Sequence, residues 1–288
     1  MNQQNPYGGQ QPQQWGQQPQ AGGQQGWGQQ APQMHPGMGA PMGMPGPQPG
    51  QSGPAYGASE GELLASEASV EARSSFIEKT YLHLAGAIVV FVLLSAGFQM
   101  IPGIEEKVFS LLMVSEYSWL AVMGAFIAVS YVADSWAKGS RSVGMQYAGL
   151  GLYTVAEAAI FLPMIIIARQ LIGDEAIFTA GGVTLAMFAA MTAYVFISKK
   201  DFSFMRGALS IFAMGAFGLI VASVIFGFNL GLLFSVGMVV LACGYILYYT
   251  SNVLHHYRVN QHVAAALALF SAVALLFWYV LRIFMSRR

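Results

Sequence analysis

Seven apolar stretches follow one another between Lys79 and Arg288. Each is roughly 20 residues long, about what a helix needs to cross the hydrocarbon of a bilayer. The sequence therefore predicts an all-α polytopic membrane protein, a seven-transmembrane-helix bundle preceded by a disordered tail. The spans fall near Thr80 to Ile101, Tyr117 to Ser135, Val143 to Ala168, Ile177 to Ser198, Met205 to Phe226, Leu230 to Thr250 and Val263 to Phe284. Charge content agrees: 9% of the residues are charged, against about 25% in a soluble domain. The 13 basic residues balance 13 acidic ones, so no net field recruits nucleic acid, and only the placement of charge is informative.

Three regions emerge. Residues 1–58 are mostly Gln, Gly, Pro and Met with no apolar period, too little to offset the entropy of ordering a backbone. Trp15 and Trp27 in their Gln and Gly setting suit either weak partner binding or a plain tether. The thioethers of Met34, Met38, Met42 and Met44 beside His35 suit a soft metal, but their spacing is loose. Met1 is followed by a Gln-rich stretch without the basic patch and short apolar run of a cleavable signal, so the first span is expected to serve as the anchor. Ser59 and Glu62 have capping-box spacing, and Leu63, Leu64, Val70 and Phe76 extend it into a juxtamembrane amphipathic helix over 59–78, lying along the membrane surface. Residues 79–288 form the membrane domain. Its single cysteine, Cys243, leaves no disulfide framework or thiolate cluster.

With the tail in the cytoplasm, that side receives Arg73, Lys79, Lys138, Arg141, Lys199, Lys200, Arg206 and Arg258, while the opposite loops receive only Lys107 and Arg169. The asymmetry follows the positive-inside rule and predicts a cytoplasmic N-terminus, in the plasma membrane if the chain is bacterial. Arg282, Arg287 and Arg288 then fall on the far side, against the rule, unless one segment is re-entrant.

Glu157 lies near the middle of the third span, with Pro163 six residues on. An acidic group at mid-bilayer costs on the order of 2.5 to 3.5 kcal/mol for insertion. The neighbouring Ile, Leu and Phe residues can offset that, so Glu157 is expected to insert and to face the bundle interior. Pro163 cannot donate to the carbonyl of Ala159, which frees an acceptor for water, a proton or a cation. Glu157 and Pro163 are thus the candidate ion or proton site; the rival reading is a protonated glutamate hydrogen-bonded between helices. His83, one turn after Lys79, reads as an interhelical hydrogen bond. His255, His256 and His262 gather in the last loop and, with Asp201 in the loop between the fourth and fifth spans, form a candidate pH-sensing or partner surface. Their spacing is not a strong zinc pattern. Glycines within spans, among them Gly149, Gly151, Gly181, Gly182, Gly215, Gly218, Gly237 and Gly244, read as packing contacts. No phosphate-binding loop, HExxH or GxSxG motif occurs, so an enzyme is not expected and no cofactor is implied.

Three stretches together resemble the Bax inhibitor-1 family, including its bacterial YccA-type branch: RSSFIEKTYLHLAG (Arg73 to Gly86), SKKDFSFMRG (Ser198 to Gly207) and YYTSNVLHH (Tyr248 to His256). The resemblance implies a helical bundle associated with proton-sensitive calcium leak, suppression of stress-induced death or, in the bacterial branch, restraint of a membrane-bound AAA protease. The calcium activity it implies rests on a carboxylate pair, one member near the end of the sixth span and one in the seventh. Those places hold Tyr249 and Ala272, so that gate does not carry over. The expectation is a non-enzymatic modulator of membrane stress response or membrane protein quality control, with the bilayer and a membrane protease as partners. The alternative is a proton-sensitive calcium or cation leak through Glu157.

Overall fold

The computed structural model describes residues 60–139 and 142–286. The expectations for residues 1–58, the cap at Ser59, and the charges Arg141, Arg287 and Arg288 lie outside them. A 3-10 turn at Glu60–Glu62 is followed by α1 (Val70–Gln99), α2 (Ile104–Leu112), α3 (Ser118–Gly139), α4 (Val143–Ile172), α5 (Asp174–Ser198), α6 (Met205–Phe226), α7 (Gly231–His255) and α8 (His262–Ser286). All but α2 are long and apolar enough to cross a membrane, in the order and number the sequence predicts.

Two elements differ from expectation. Among the described residues no α-helix separate from α1 precedes the first span. Leu64 instead forms an antiparallel bridge with Arg258, and the amide of Ala65 donates to the Tyr257 carbonyl at 2.8 Å, that of Val259 to Leu63 at 3.1 Å. Ala65 is fully buried there. Burying Leu64 and Ala65 against the α7–α8 loop outweighs the weak local helical period, and Ser69, whose hydroxyl accepts the Ala72 amide at 3.3 Å, starts α1 afresh. Helix α1 then runs unbroken into the span. The second difference is α2, whose Ile104, Val108 and Leu111 share one face and whose Glu105 and Glu106 suit the positive helix start.

Tight turns join the helices where glycine permits. Gly173 (φ 80°) alone separates α4 from α5; Gly227 and Gly231 (φ 69° and 64°) close the expected α6–α7 hairpin. Helix α8 is the axis of the bundle: 78% of its apolar window is buried, against 6% in α6, which packs on α7. The run Ala264, Ala265, Ala266 and Ala268 lets the surrounding helices approach α8 closely. Midway along it, Phe161 of α4 stacks on Phe277 at 5.6 Å and meets Trp278 edge-on at 4.9 Å.

Of the span glycines, two carry close packing. A Cβ on Gly149 would lie 2.6 Å from the Ala133 carbonyl oxygen, and one on Gly244 would lie 2.8 Å from a Leu209 methyl; Gly151, Gly181, Gly182, Gly215, Gly218 and Gly237 face open space. The wider expectation of glycine packing is corrected to these two contacts.

Successive spans alternate in direction, so one rim gathers the starts of α1, α4, α6 and α8 and the ends of α3, α5 and α7. Cross-links within each rim agree: Asp201 with His256 on one, Arg169 with Gln99 and with Asp174 on the other. Reporter fusions after Gly50 and after Arg288 are expected to label opposite sides of the membrane. Labels on one side would require a span to re-enter.

Candidate functional site

Glu157 is the only charged side chain among the buried described residues, 5% exposed on α4. It faces the bundle interior, as its cost in lipid requires. Tyr153, one turn earlier on α4, and Ser271 of α8 line the same cavity as Glu157, and the Ser271 hydroxyl donates to the Ala268 carbonyl at 2.8 Å. Hydroxyls beside a buried carboxyl group suit either of its protonation states. An ionised carboxylate can accept from a neighbouring hydroxyl, and a protonated one can donate to it.

The carboxyl group borders a cavity of about 410 Å3 between α3, α4, α6, α7 and α8. Its lining includes Trp119 and Met123 of α3, Ile220 of α6, Tyr245 and Tyr249 of α7, and Ser271, Ala272 and Arg282 of α8. Trp119 stacks on Trp278 at 6.0 Å beside it. Arg282 makes no ion pair among the described residues and lines the cavity, which accounts for one cation on the side the charge rule disfavours. Tyr249 and Ala272, which stand where the resemblance puts a carboxylate pair, both line this cavity. Pro163 is buried in the unbroken α4 but is not part of the lining. Six residues turn a helix through about 600°, so Glu157 and Pro163 point about 120° apart.

The loop between α5 and α6 is held by Asp201. Its carboxylate takes the Ser203 amide at 2.8 Å, the His256 ring at 2.9 Å and the Ser251 hydroxyl at 3.3 Å. Partial burial pushes its pKa up, but the Ser203 amide, the His256 imidazole and the Ser203 side chain outweigh that and hold it at about 2. The side chain is 45% exposed, so water screens the pair and its worth is at most about 1 kcal/mol. The sign follows from the depressed value: the stabilisation is full above the ordinary 3.8 and is lost as pH falls through about 2. Asp201→Asn is expected to loosen this loop at neutral pH, read as faster trypsin cleavage after Lys199 and Lys200, with no change in the helical content of the bundle. The His256 ring pairs with the Asp201 carboxylate, which also accepts from the Ser251 hydroxyl.

The three loop histidines part company. His256 pairs with Asp201, while the Nε2 of His255 is buried without a partner among the described residues. His262 joins His83 and Tyr147: the Tyr147 hydroxyl lies 3.0 Å from His83 Nε2 and 3.5 Å from His262 Nε2. The interhelical bond read for His83 is thus present, but its link to His262 was hidden, because the residues come from α1, α4 and α8. Among the described residues no three His, Cys, Asp or Glu side chains could together hold a metal ion.

Comparison with known proteins agrees with this architecture. A family model described as inhibitor of apoptosis-promoting Bax1 matches residues 73–288. Bax inhibitor 1 of Schizosaccharomyces pombe is 28% identical over 222 residues, which cover 75% of this chain and 78% of that protein. An uncharacterised protein of Pseudomonas aeruginosa is 31% identical over 113 residues, 39% of this chain and 50% of its own length.

Proposed function

This chain belongs to the Bax inhibitor-1 family of multi-pass membrane proteins, and we propose that its bundle forms a proton-sensitive leak path for small cations in which Glu157 is the exchanging group. One observation carries the reading: a cavity lined by tyrosines and a serine reaches the one charged side chain buried among the described residues. A single carboxylate is a poorer calcium site than the six to eight oxygens calcium prefers. The path therefore passes an ion briefly and does not store it. Protonation of Glu157 removes the counter-charge and closes the path; deprotonation opens it. The orientation assumed has the tail and the basic rim in the cytoplasm. The test is dye-loaded liposomes carrying purified protein, with calcium and potassium efflux followed against pH for wild type and Glu157→Gln. Flux independent of Glu157 would remove the reading.

A second reading, a non-enzymatic modulator of a membrane quality-control protease, is favoured by a different feature. Residues 61–66 are stitched to the end of α7 and the α7–α8 loop, which fixes this strap on the rim that carries His256. Pull-down from detergent with and without residues 1–58 tests it, and a protein that is silent in both preparations yet conducts favours the leak path alone.

A further inference from the structure

We propose that His83, Tyr147 and His262 form a binding site for one divalent transition-metal ion of the zinc type, at the basic rim and outside the Glu157 cavity. The argument begins with the tautomer. His83 Nδ1 lies against the Lys79 carbonyl, which can only accept, so Nδ1 carries the proton and Nε2 presents its lone pair. Metal-binding histidines are held in this way, with the second nitrogen donating to a carbonyl or carboxylate. That lone pair points at the Tyr147 hydroxyl at 3.0 Å, and His262 Nε2 approaches the same oxygen at 3.5 Å, with the two imidazole centroids 5.1 Å apart.

Three potential donors from three helices therefore meet at the Tyr147 oxygen. A tetrahedral zinc with bonds of about 2.0 Å keeps its donors about 3.3 Å apart, between the two distances observed. The phenol has one proton, and with His83 Nε2 accepting it the Tyr147 oxygen keeps its lone pairs toward His262. Two imidazoles suit zinc and copper and discriminate against calcium and magnesium. All three side chains are partly exposed, which gives an ion access from water and leaves the fourth position for a solvent molecule. The nearby cation, Lys79, is exposed and its repulsion is screened. Joining α1, α4 and α8, a bound ion would clamp the bundle at this rim.

Full-length protein in detergent, titrated with zinc against a chromophoric chelator, is expected to take up one ion at this cluster. The double variant H83Q/H262Q should lose on the order of tenfold or more in affinity, whereas H255Q/H256Q should match wild type. Should the double variant fail to fold, wild type alone decides: zinc should protect His83 and His262, and not His255 or His256, from carbethoxylation mapped by mass spectrometry. Equal affinity in H83Q/H262Q, or zinc that leaves His83 and His262 unprotected, overturns the proposal.

Discussion

Glu157→Gln is expected to abolish the pH dependence of cation efflux and to cut its rate by a factor of about 30 or more. Gln keeps the size of the side chain and its capacity to hydrogen-bond, so what disappears is the negative charge. A cation passing about 4 Å from that charge gains about 4 kcal/mol at an effective dielectric of 20. If half survives desolvation, its loss is a factor of about 30 in rate. No other charged side chain is buried among the described residues to stand in for it. Arg282, lining the same cavity, would repel a cation once Glu157 is neutral, so the variant should fall below an uncharged pore. The comparison is meaningful only if the fold survives, which equal thermal unfolding midpoints in detergent would establish. Efflux that stays pH-dependent in Glu157→Gln would assign proton sensing to another group and leave Glu157 as an interhelical hydrogen bond.

The spans were legible because a run of about 20 apolar residues has few other uses. Their ends were less so. Helix α1 begins at Val70, ten residues before the apolar run read from Thr80, because Arg73, Glu78 and Lys79 mask the hydropathy while the backbone stays helical beyond the hydrocarbon. The nine residues of α2 are too short to register as a span. The strap at residues 61–66 could not be read at all, since its partners lie in the α7–α8 loop and its backbone hydrogen bonds leave no mark on composition.

Glu157 stood out for a simple reason: a carboxylate in an apolar run is expensive. Its cavity was invisible, because Tyr249, Ser271 and Arg282 come from α7 and α8 and meet α4 only in three dimensions. Spacing along the chain does not fix direction in space. Glu157 and Pro163 are close in sequence but face different directions on α4, and His255, His256 and His262 are divided by the end of one helix and the start of the next. Interior glycines posed the same difficulty, since the sequence marks them all alike and only the neighbouring helix decides which one is under compression.

That difference yields a sharp contrast between neighbours. Gly149→Ala is expected to lower stability by about 1–3 kcal/mol, the usual range for overpacking, and the thermal midpoint in detergent by roughly 3–10 °C. The added methyl would meet the Ala133 carbonyl oxygen at 2.6 Å and the Ala137 nitrogen at 3.0 Å. Both are backbone atoms of α3, so no rotamer change can relieve the clash and the two helices must separate. Gly151→Ala, two residues along the same helix and facing open space, should be neutral or gain up to about 1 kcal/mol from helix propensity. The contrast bears on the cavity too, because α3 supplies Trp119 and Met123 and α4 supplies Tyr153 and Glu157. Prising the helices apart at Gly149 should widen the cavity and raise basal efflux in whatever fraction stays folded, whereas Gly151→Ala should conduct as wild type does. Equal midpoints for the two variants would mean that the α3–α4 seam is looser than its geometry, and that the wall of the cavity is set elsewhere.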